Sequence, residues 1–191
     1  MTTAATLLMD RALPADRIAR PLRLAILVLA GSALIALSAR IQVPMWPVPM
    51  TMQTFAVLLI GMACGARLGA AIVAVYLLEG LVGLPVFASG AGPAYFAGTT
   101  GGYLAGFLVS AAVVGALAER GWNSSPLKAF AAQMIGTVFI FVLGVAWLAV
   151  LIGPDQAIAG GLLPFIPGAI VKAALAALLL EGLGRFLRRA G

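Results

Sequence analysis

The sequence of 191 residues contains no histidine and a single cysteine, Cys64. Without histidine, the chain lacks both the commonest metal ligand and the commonest general base. A lone cysteine excludes an internal disulfide and a cysteine cluster for metal or redox chemistry. There is also no Gly-Lys dipeptide, hence no G-x-x-x-x-G-K-[ST] phosphate-binding loop. We therefore expect no catalytic residue, no metal site and no cofactor, and any use of ATP would require another subunit.

Charged residues are scarce as well, at 9% of the chain, whereas hydrophobic residues make up 63% and the mean hydropathy is +1.12. Values this far from those of soluble domains predict a one-domain, polytopic membrane protein whose solvent is the lipid bilayer. The net charge of +6 does not indicate nucleic-acid binding. The basic residues flank the apolar runs, where they set topology and meet lipid headgroups.

The apolar runs predict an all-α, six-transmembrane-helix bundle, because about 20 helical residues cross a bilayer core. Basic residues gather on one side if both termini are cytoplasmic, with Arg40 the external exception and Lys172 inside a span. A cytoplasmic N-terminal segment (1–21) would precede the transmembrane domain (22–184), and a basic cytoplasmic tail (185–191) would follow it. The predicted spans are Leu22–Ala39, Thr51–Ala66, Leu68–Val86, Thr100–Ala118, Ala129–Ile152 and Phe165–Leu183.

The three external connections, residues 40–50, 87–99 and 153–164, are rich in glycine and proline and poor in charge. Irregular backbone near the hydrocarbon is tolerated only where protein covers it or where it lines a cavity. The first connection contains the stiff segment "VPMWPVP", which suits a cap over a cavity. A plain turn rich in helix breakers is the alternative.

Small residues recur at four-residue spacing in two places, Gly61/Gly65/Gly69 and Gly98/Gly102/Gly106, the second followed by Ser110. This spacing lets helix backbones approach closely in lipid. A weaker version in the first span, Ser32 and Ala36, predicts either internal packing or docking of another membrane protein.

Two charged residues lie within predicted spans, where a charge is costly and usually marks function. Lys172 and Glu79 are each about two helical turns from the external end of their spans, so they fall at similar depth. They predict either a buried structural ion pair or a pocket in which Lys172 meets a polar or anionic solute.

Other polar and aromatic residues occur near the same level, as expected of a small-molecule site with apolar walls and a few polar groups. The aromatic members could instead belong to the interfacial belt. The predicted ligand-contacting residues are Trp46, Thr51, Gln53, Thr54, Glu79, Tyr95, Thr100, Tyr103 and Lys172.

Four ordered segments, "QVPMWPVPMTMQTFAVLLIGMACGARLGA", "GLPVFASGAGP", "TTGGYLAGF" and "LPFIPGAIVKAALAA", resemble the BioY family. Its members are the biotin-specific substrate-binding (S) components of energy-coupling factor (ECF) transporters. The resemblance implies a multi-pass protein of the cytoplasmic membrane that is not an enzyme. It would bind biotin on the extracytoplasmic side, beneath the loop between the first and second helices.

The resemblance also implies two kinds of partner: a transmembrane T component, docked on Ser32 and Ala36 of the first helix, and ATP-binding cassette ATPase subunits. A homodimer is left open. One departure concerns the ligand site. The family pattern Pro-Gly-Asp-x-x-Lys has Ala169 in place of the aspartate here, while Lys172 is retained. We hypothesise that Glu79 supplies the displaced carboxylate.

Because of this departure, an S component or carrier for a different small solute is the alternative function. An intramembrane enzyme and a purely structural partner subunit are further alternatives. The absence of histidine disfavours the enzyme, and a dispensable Lys172 would favour the structural subunit.

Overall fold

A computed structural model describes residues 19–189, with side chains placed up to residue 182. Most of the predicted N-terminal segment and the side chains of the predicted basic tail lie outside this part. In chain order the elements are α1 (Arg20–Arg40), β1 (Gln42–Val43), β2 (Met50–Thr51), α2 (Gln53–Cys64), α3 (Ala66–Leu81), α4 (Pro93–Ala97), α5 (Gly101–Leu117), a π-helical turn (Ala118–Trp122), α6 (Pro126–Ile152), α7 (Pro154–Gly161) and α8 (Phe165–Arg189).

Each predicted span coincides with one of these helices. Among the described residues, α1, α5 with its following turn, α6 and α8 are long and apolar enough to cross a membrane. The prediction of a mostly helical, multi-pass membrane protein is confirmed. The helices α2 and α3 are shorter, with 12 and 16 residues, so their crossing of the bilayer stays a prediction.

Large apolar side chains are exposed along the outer helices, as expected of surfaces that face lipid acyl chains. Such residues on α1, α6 and α8 include Leu29, Leu37, Val142, Val150, Val171 and Leu178.

Helix α5 lies at the centre of the bundle and is mostly buried against α2, α3 and α6. Its glycines permit this. A Cβ on Gly102 would lie 2.4 Å from a backbone oxygen of α6, and one on Gly106 would lie 2.8 Å from a Cα of that helix. One turn further, Ser110 Oγ donates a hydrogen bond to the backbone oxygen of Gly136 at 2.7 Å. The prediction that this stripe packs helices closely is confirmed for Gly102, Gly106 and Ser110, whereas Gly98 lies before α5 and a Cβ on it would contact only the preceding turn.

The other stripe has two roles. A Cβ on Gly61 would lie 2.7 Å from the backbone oxygen of Ala111, and one on Gly69 would lie 2.9 Å from the Cα of Gly61. Both positions are therefore close helix contacts. Gly65 instead forms the one-residue turn between α2 and α3, where its φ of +82° favours glycine.

The external connections are more regular than predicted. In the first, β1 and β2 form an antiparallel hairpin in which Gln42 pairs with Thr51 and Val43 with Met50. The other two contain the helices α4 and α7, where irregular loops are expected from the sequence. For α7, the overlooked signals are Pro154 at the first position and Asp155 in the first turn, both of which favour a helix start.

Candidate ligand-binding site

Most of the residues predicted to contact a ligand line one cavity, the middle chamber. It lies among β2 and the first turns of α2, α5 and α8. Its apolar walls include Pro49, Ala88 and Phe107, so it combines apolar surface with a few polar groups, as small-molecule sites do. The polar lining residues are Thr51, Gln53, Thr54, Tyr95, Thr100, Tyr103 and Lys172.

A second cavity, the deep chamber, continues the middle chamber further along α2 and α8. Thr54, Phe141 and Lys172 line both, so Lys172 lies at their boundary. Beyond it, Gln133 and Thr137 of α6 line the deep chamber and are only 1% and 6% exposed. This pair was not predicted from the sequence. The available signal was two polar residues one turn apart within a long apolar helix, which suggests a polar site inside a membrane protein.

A third cavity, the outer chamber, adjoins the middle chamber at its other end. Its walls are the β1–β2 loop and the segment from Ser89 to Thr100. The residues that line both the outer and the middle chambers are Pro49, Tyr95 and Thr100. The three cavities therefore lie in a row from the β1–β2 loop into the bundle.

The two inner chambers are narrow. Their free volumes are about 20 Å³ for the deep chamber and about 40 Å³ for the middle chamber, against about 440 Å³ for the outer chamber. Such small volumes hold one or two water molecules, so the inner chambers must widen to accept a larger solute.

Lys172 carries the only charge among the residues that line the three chambers. Its ammonium donates hydrogen bonds to the backbone oxygen of Thr51 at 2.5 Å and to Thr54 Oγ1 at 3.2 Å. An ammonium has three N–H donors, so one donor remains for a ligand. The polar groups at the start of α2 therefore converge on a cation that a solute can share.

Gln53 is held by a chain of hydrogen bonds. Its Oε1 accepts from Thr51 Oγ1 at 3.0 Å, and its Nε2 donates to the hydroxyl of Tyr76 on α3. The Tyr76 hydroxyl in turn donates to the backbone oxygen of Val86 at 3.3 Å. Tyr76 is fully buried and does not line the chamber. Its role is to hold Gln53 from behind, and this role was not predicted from the sequence. The amide of Gln53 is thus oriented from both sides.

Tyr76 also begins a row of packed rings that reaches the middle chamber. Phe87 meets Tyr76 edge-to-face, with ring centroids 5.4 Å apart, and stacks on Tyr95 at 4.9 Å. The Phe87 ring fits against Gly80, where a Cβ would lie 1.9 Å from it. Packing on Phe87 therefore fixes the ring of Tyr95, which lines the chamber.

Hydroxyl groups anchor the segments that cover the site. Thr99 Oγ1 donates to the backbone oxygen of Pro47 at 2.9 Å and ties the β1–β2 loop to the segment before α5. Tyr103 donates to the backbone oxygen of Gly161 at 2.8 Å and ties α5 to the end of α7. The proline-rich segment is thereby held over the middle chamber, into which it contributes Val48.

Trp46 is placed differently from the prediction. Its side chain is 75% exposed and lines none of the three chambers. The next two residues, Pro47 and Val48, are the ones that the loop buries. An exposed tryptophan in a loop at the end of the bundle instead fits the interfacial belt, the alternative for this residue.

The ion pair between Lys172 and Glu79, one of the two alternatives from the sequence, is not formed in the described part of the chain. Glu79 Oε2 accepts a hydrogen bond from Ser32 Oγ, and Glu79 lines none of the three chambers. Equal depth on two helices does not fix the direction in which each side chain points, which explains why the two side chains do not pair. Ser32 is fully buried and Ala36 is partly buried against the core, and docking of a partner on these two residues stays a prediction.

The arrangement is suited to binding a small polar solute, since it pairs one cation with hydroxyl and amide groups inside apolar walls. Among the described residues, no group of three or more His, Cys, Asp or Glu side chains could hold a metal ion.

A solved structure identifies the class of fold. The S component for biotin from an ECF-type ABC transporter aligns with a TM-score of 0.73 at 23% sequence identity, covering 87% of this chain and 93% of the other. The fold is that of an S component.

The sequence comparisons identify the family. The model of the BioY family matches residues 8–189. The biotin transporter BioY of Thermotoga maritima is 40% identical over 157 residues, which cover 80% of this chain and 92% of the relative. The biotin transporter BioY of Rhizobium etli is 40% identical over 143 residues, which cover 70% and 76%. The chain belongs to the BioY family. It is a multi-pass protein of the cytoplasmic membrane, and the relatives are named as transporters rather than enzymes, as the sequence predicts.

Proposed function

We propose that this chain is the biotin-binding S component of an ECF transporter and captures biotin in the middle chamber. The observation that carries the proposal is the convergence of Lys172 with Thr51, Gln53 and Thr54 beneath the β1–β2 loop. Support comes from relatives of 40% identity that are named biotin transporters.

The chemistry of biotin matches the lining of the chamber. Its ureido ring has two N–H donors and one carbonyl acceptor, its sulfur ring and alkyl chain are apolar, and its tail ends in a carboxylate. Lys172 has a donor to share with the ureido carbonyl, and the hydroxyl groups of Thr54, Thr100 and Tyr103 can serve the rest of the ring. An unpaired buried polar group costs about 1–3 kcal/mol, so analogues that lack a ureido N–H should bind more weakly.

A different small solute is the second candidate, and Ala169 is the observation that favours it. The family resemblance predicts a carboxylate at this position. The chain has an alanine there instead, and this alanine lines the deep chamber. In biotin binding, Gln133 and Thr137 would supply neutral hydrogen-bonding groups in that region. A competition assay distinguishes the candidates. Other vitamins and small solutes, and biotin as the reference, are added to the protein with biotin bound. The second candidate requires a solute that displaces the bound biotin at a lower concentration than added biotin does.

The proposal extends to topology and partners. Six crossings over residues 22–184 with both termini cytoplasmic would open the outer chamber to the external side. A T component and ATPase subunits would supply the energy. The exposed face of α1 available to a T component carries Ala30, Ala33 and Leu37. We expect Ala33→Trp to abolish co-purification with a T component and to leave biotin binding intact, whereas Val150→Trp on exposed α6 should affect neither.

Isothermal titration of the detergent-solubilised protein with biotin tests the central proposal. Wild type should bind one biotin per chain. Lys172→Met should bind about 10- to 150-fold more weakly, because a hydrogen bond to a charged group contributes about 1.5–3 kcal/mol. The matched control is Lys128→Met, which removes an exposed lysine at the start of α6 and should change nothing.

Two results would contradict the proposal. One is a folded wild-type protein that shows neither heat of binding nor thermal stabilisation with biotin. The other is Lys172→Met and Lys128→Met proteins that bind biotin equally well.

A further inference from the structure

The outer chamber is the largest of the three cavities, and Lys172, the cation proposed to bind biotin, does not line it. The free volume of the outer chamber is about 440 Å³, roughly ten times that of the middle chamber at about 40 Å³. It opens toward the surface, and its two walls are joined by the hydrogen bond from Thr99 Oγ1 to the Pro47 backbone oxygen at 2.9 Å. The space therefore needs a separate explanation.

The outer and middle chambers are adjacent. Pro49, Tyr95 and Thr100 line both, while Lys172 lines only the middle and deep chambers. A solute whose polar ring is held near Lys172 would direct its opposite end past Pro49 and Tyr95. That end would enter the outer chamber.

The lining of the outer chamber is neutral. It offers the amide of Gln42 and the hydroxyls of Ser89, Thr99 and Thr100, but no cationic side chain. The carboxylate of free biotin would lie here without a counter-charge, stabilised by these neutral groups and by water, so the chamber does not select a free acid over an amide. An amide, with one donor and one acceptor, would match the neutral polar groups at no electrostatic cost.

We propose that the outer chamber accepts the substituent of biotin derivatives whose valeryl carboxyl group is joined in an amide, of which Nε-biotinyl-lysine is the simplest natural type. The ureido ring then lies toward Lys172 and the amide lies beyond Tyr95. This inference rests on the proposed biotin binding and extends its substrate class from free biotin to biotinyl amides.

The test compares biotin and biotinyl-lysine by titration of wild type and three tryptophan variants. Ala94 is exposed and lines the outer chamber, so Ala94→Trp should fill it from one wall. Ser89→Trp fills the same chamber from another exposed position. The matched control is Ala97→Trp, since Ala97 is exposed on the same short helix but does not line the chamber.

Wild type should bind the two ligands with affinities within about tenfold of each other. Ala94→Trp and Ser89→Trp should weaken biotinyl-lysine at least about tenfold more than biotin, because only the amide substituent needs the filled space. Ala97→Trp should change neither affinity.

Wild type that binds biotin but binds biotinyl-lysine about 100-fold more weakly would overturn the inference and leave the proposed function standing. Equal weakening of both ligands by both chamber variants, with Ala97→Trp unaffected, would also overturn it. A folded wild type that binds neither ligand would instead refute the proposed function, and this inference with it.

Discussion

Replacing Tyr76 by phenylalanine tests whether the hydrogen-bond chain behind Gln53 shapes the ligand site. The substitution keeps the ring and its edge-to-face contact with Phe87 and removes only the hydroxyl. The Gln53 amide then loses its acceptor, and the Val86 carbonyl loses its donor. Because Tyr76 has no exposed surface, water cannot easily replace the lost partner.

The magnitude follows from the two hydrogen bonds. Hydrogen bonds between helices in membrane bundles contribute about 0.6 kcal/mol on average and up to about 1.7 kcal/mol. The free energy of unfolding of Tyr76→Phe should therefore fall by about 1–3 kcal/mol. Biotin affinity should fall about 3- to 30-fold, since about 0.7–2 kcal/mol would be lost when the Gln53 amide is free to rotate.

The assay is biotin titration and thermal unfolding of four proteins: wild type, Tyr76→Phe, Gln53→Leu and the double variant. We expect a coupling energy in biotin binding of at least about 0.5 kcal/mol, since residues in one hydrogen-bond network are not additive. The control is Tyr103→Phe, whose lost hydroxyl bonds Gly161 instead and should not couple to Gln53→Leu. Unchanged biotin affinity of Tyr76→Phe, or additive effects in the cycle, would refute the reasoning.

The remaining predictions concern packing and the acidic residue of α3. Gly144→Ala should lower the melting temperature, because the new Cβ would lie 2.3 Å from the ring of Tyr103 and overpacking costs about 1–3 kcal/mol. Gly182→Ala, where no described atom lies within 4 Å of the new Cβ, should not lower it; equal melting of the two variants would contradict the packing described here. Glu79→Gln should keep biotin affinity within about threefold of wild type, since an amide oxygen can still accept the hydrogen bond from Ser32. A loss of affinity above about tenfold in titration would show that Glu79 contributes to the ligand site.

Composition and hydropathy were sufficient to predict the helical segments, because lipid imposes a length and an apolar composition on each crossing. They were not sufficient for the external connections. The short helix α7 and the β1–β2 hairpin depend on local start signals and on pairing across a loop, and neither changes the hydropathy of the segment.

The candidate site, like the fold, was predictable only in part. Thr51, Gln53 and Lys172 were predictable, because polar groups at or within apolar runs are costly unless they are used. The placement of Glu79 and the role of Tyr76 were not predictable. Depth along a helix can be counted from sequence, but rotation about the helix axis and the partner of a buried hydroxyl are set by how the helices pack.

A structure of the protein with biotin bound tests the central claim most directly. Capture in the middle chamber predicts a polar atom of biotin within about 3 Å of Lys172 Nζ, with the ligand beneath the β1–β2 loop and against Tyr95. Biotin bound elsewhere, with Lys172 still donating only to Thr51 and Thr54, would contradict it.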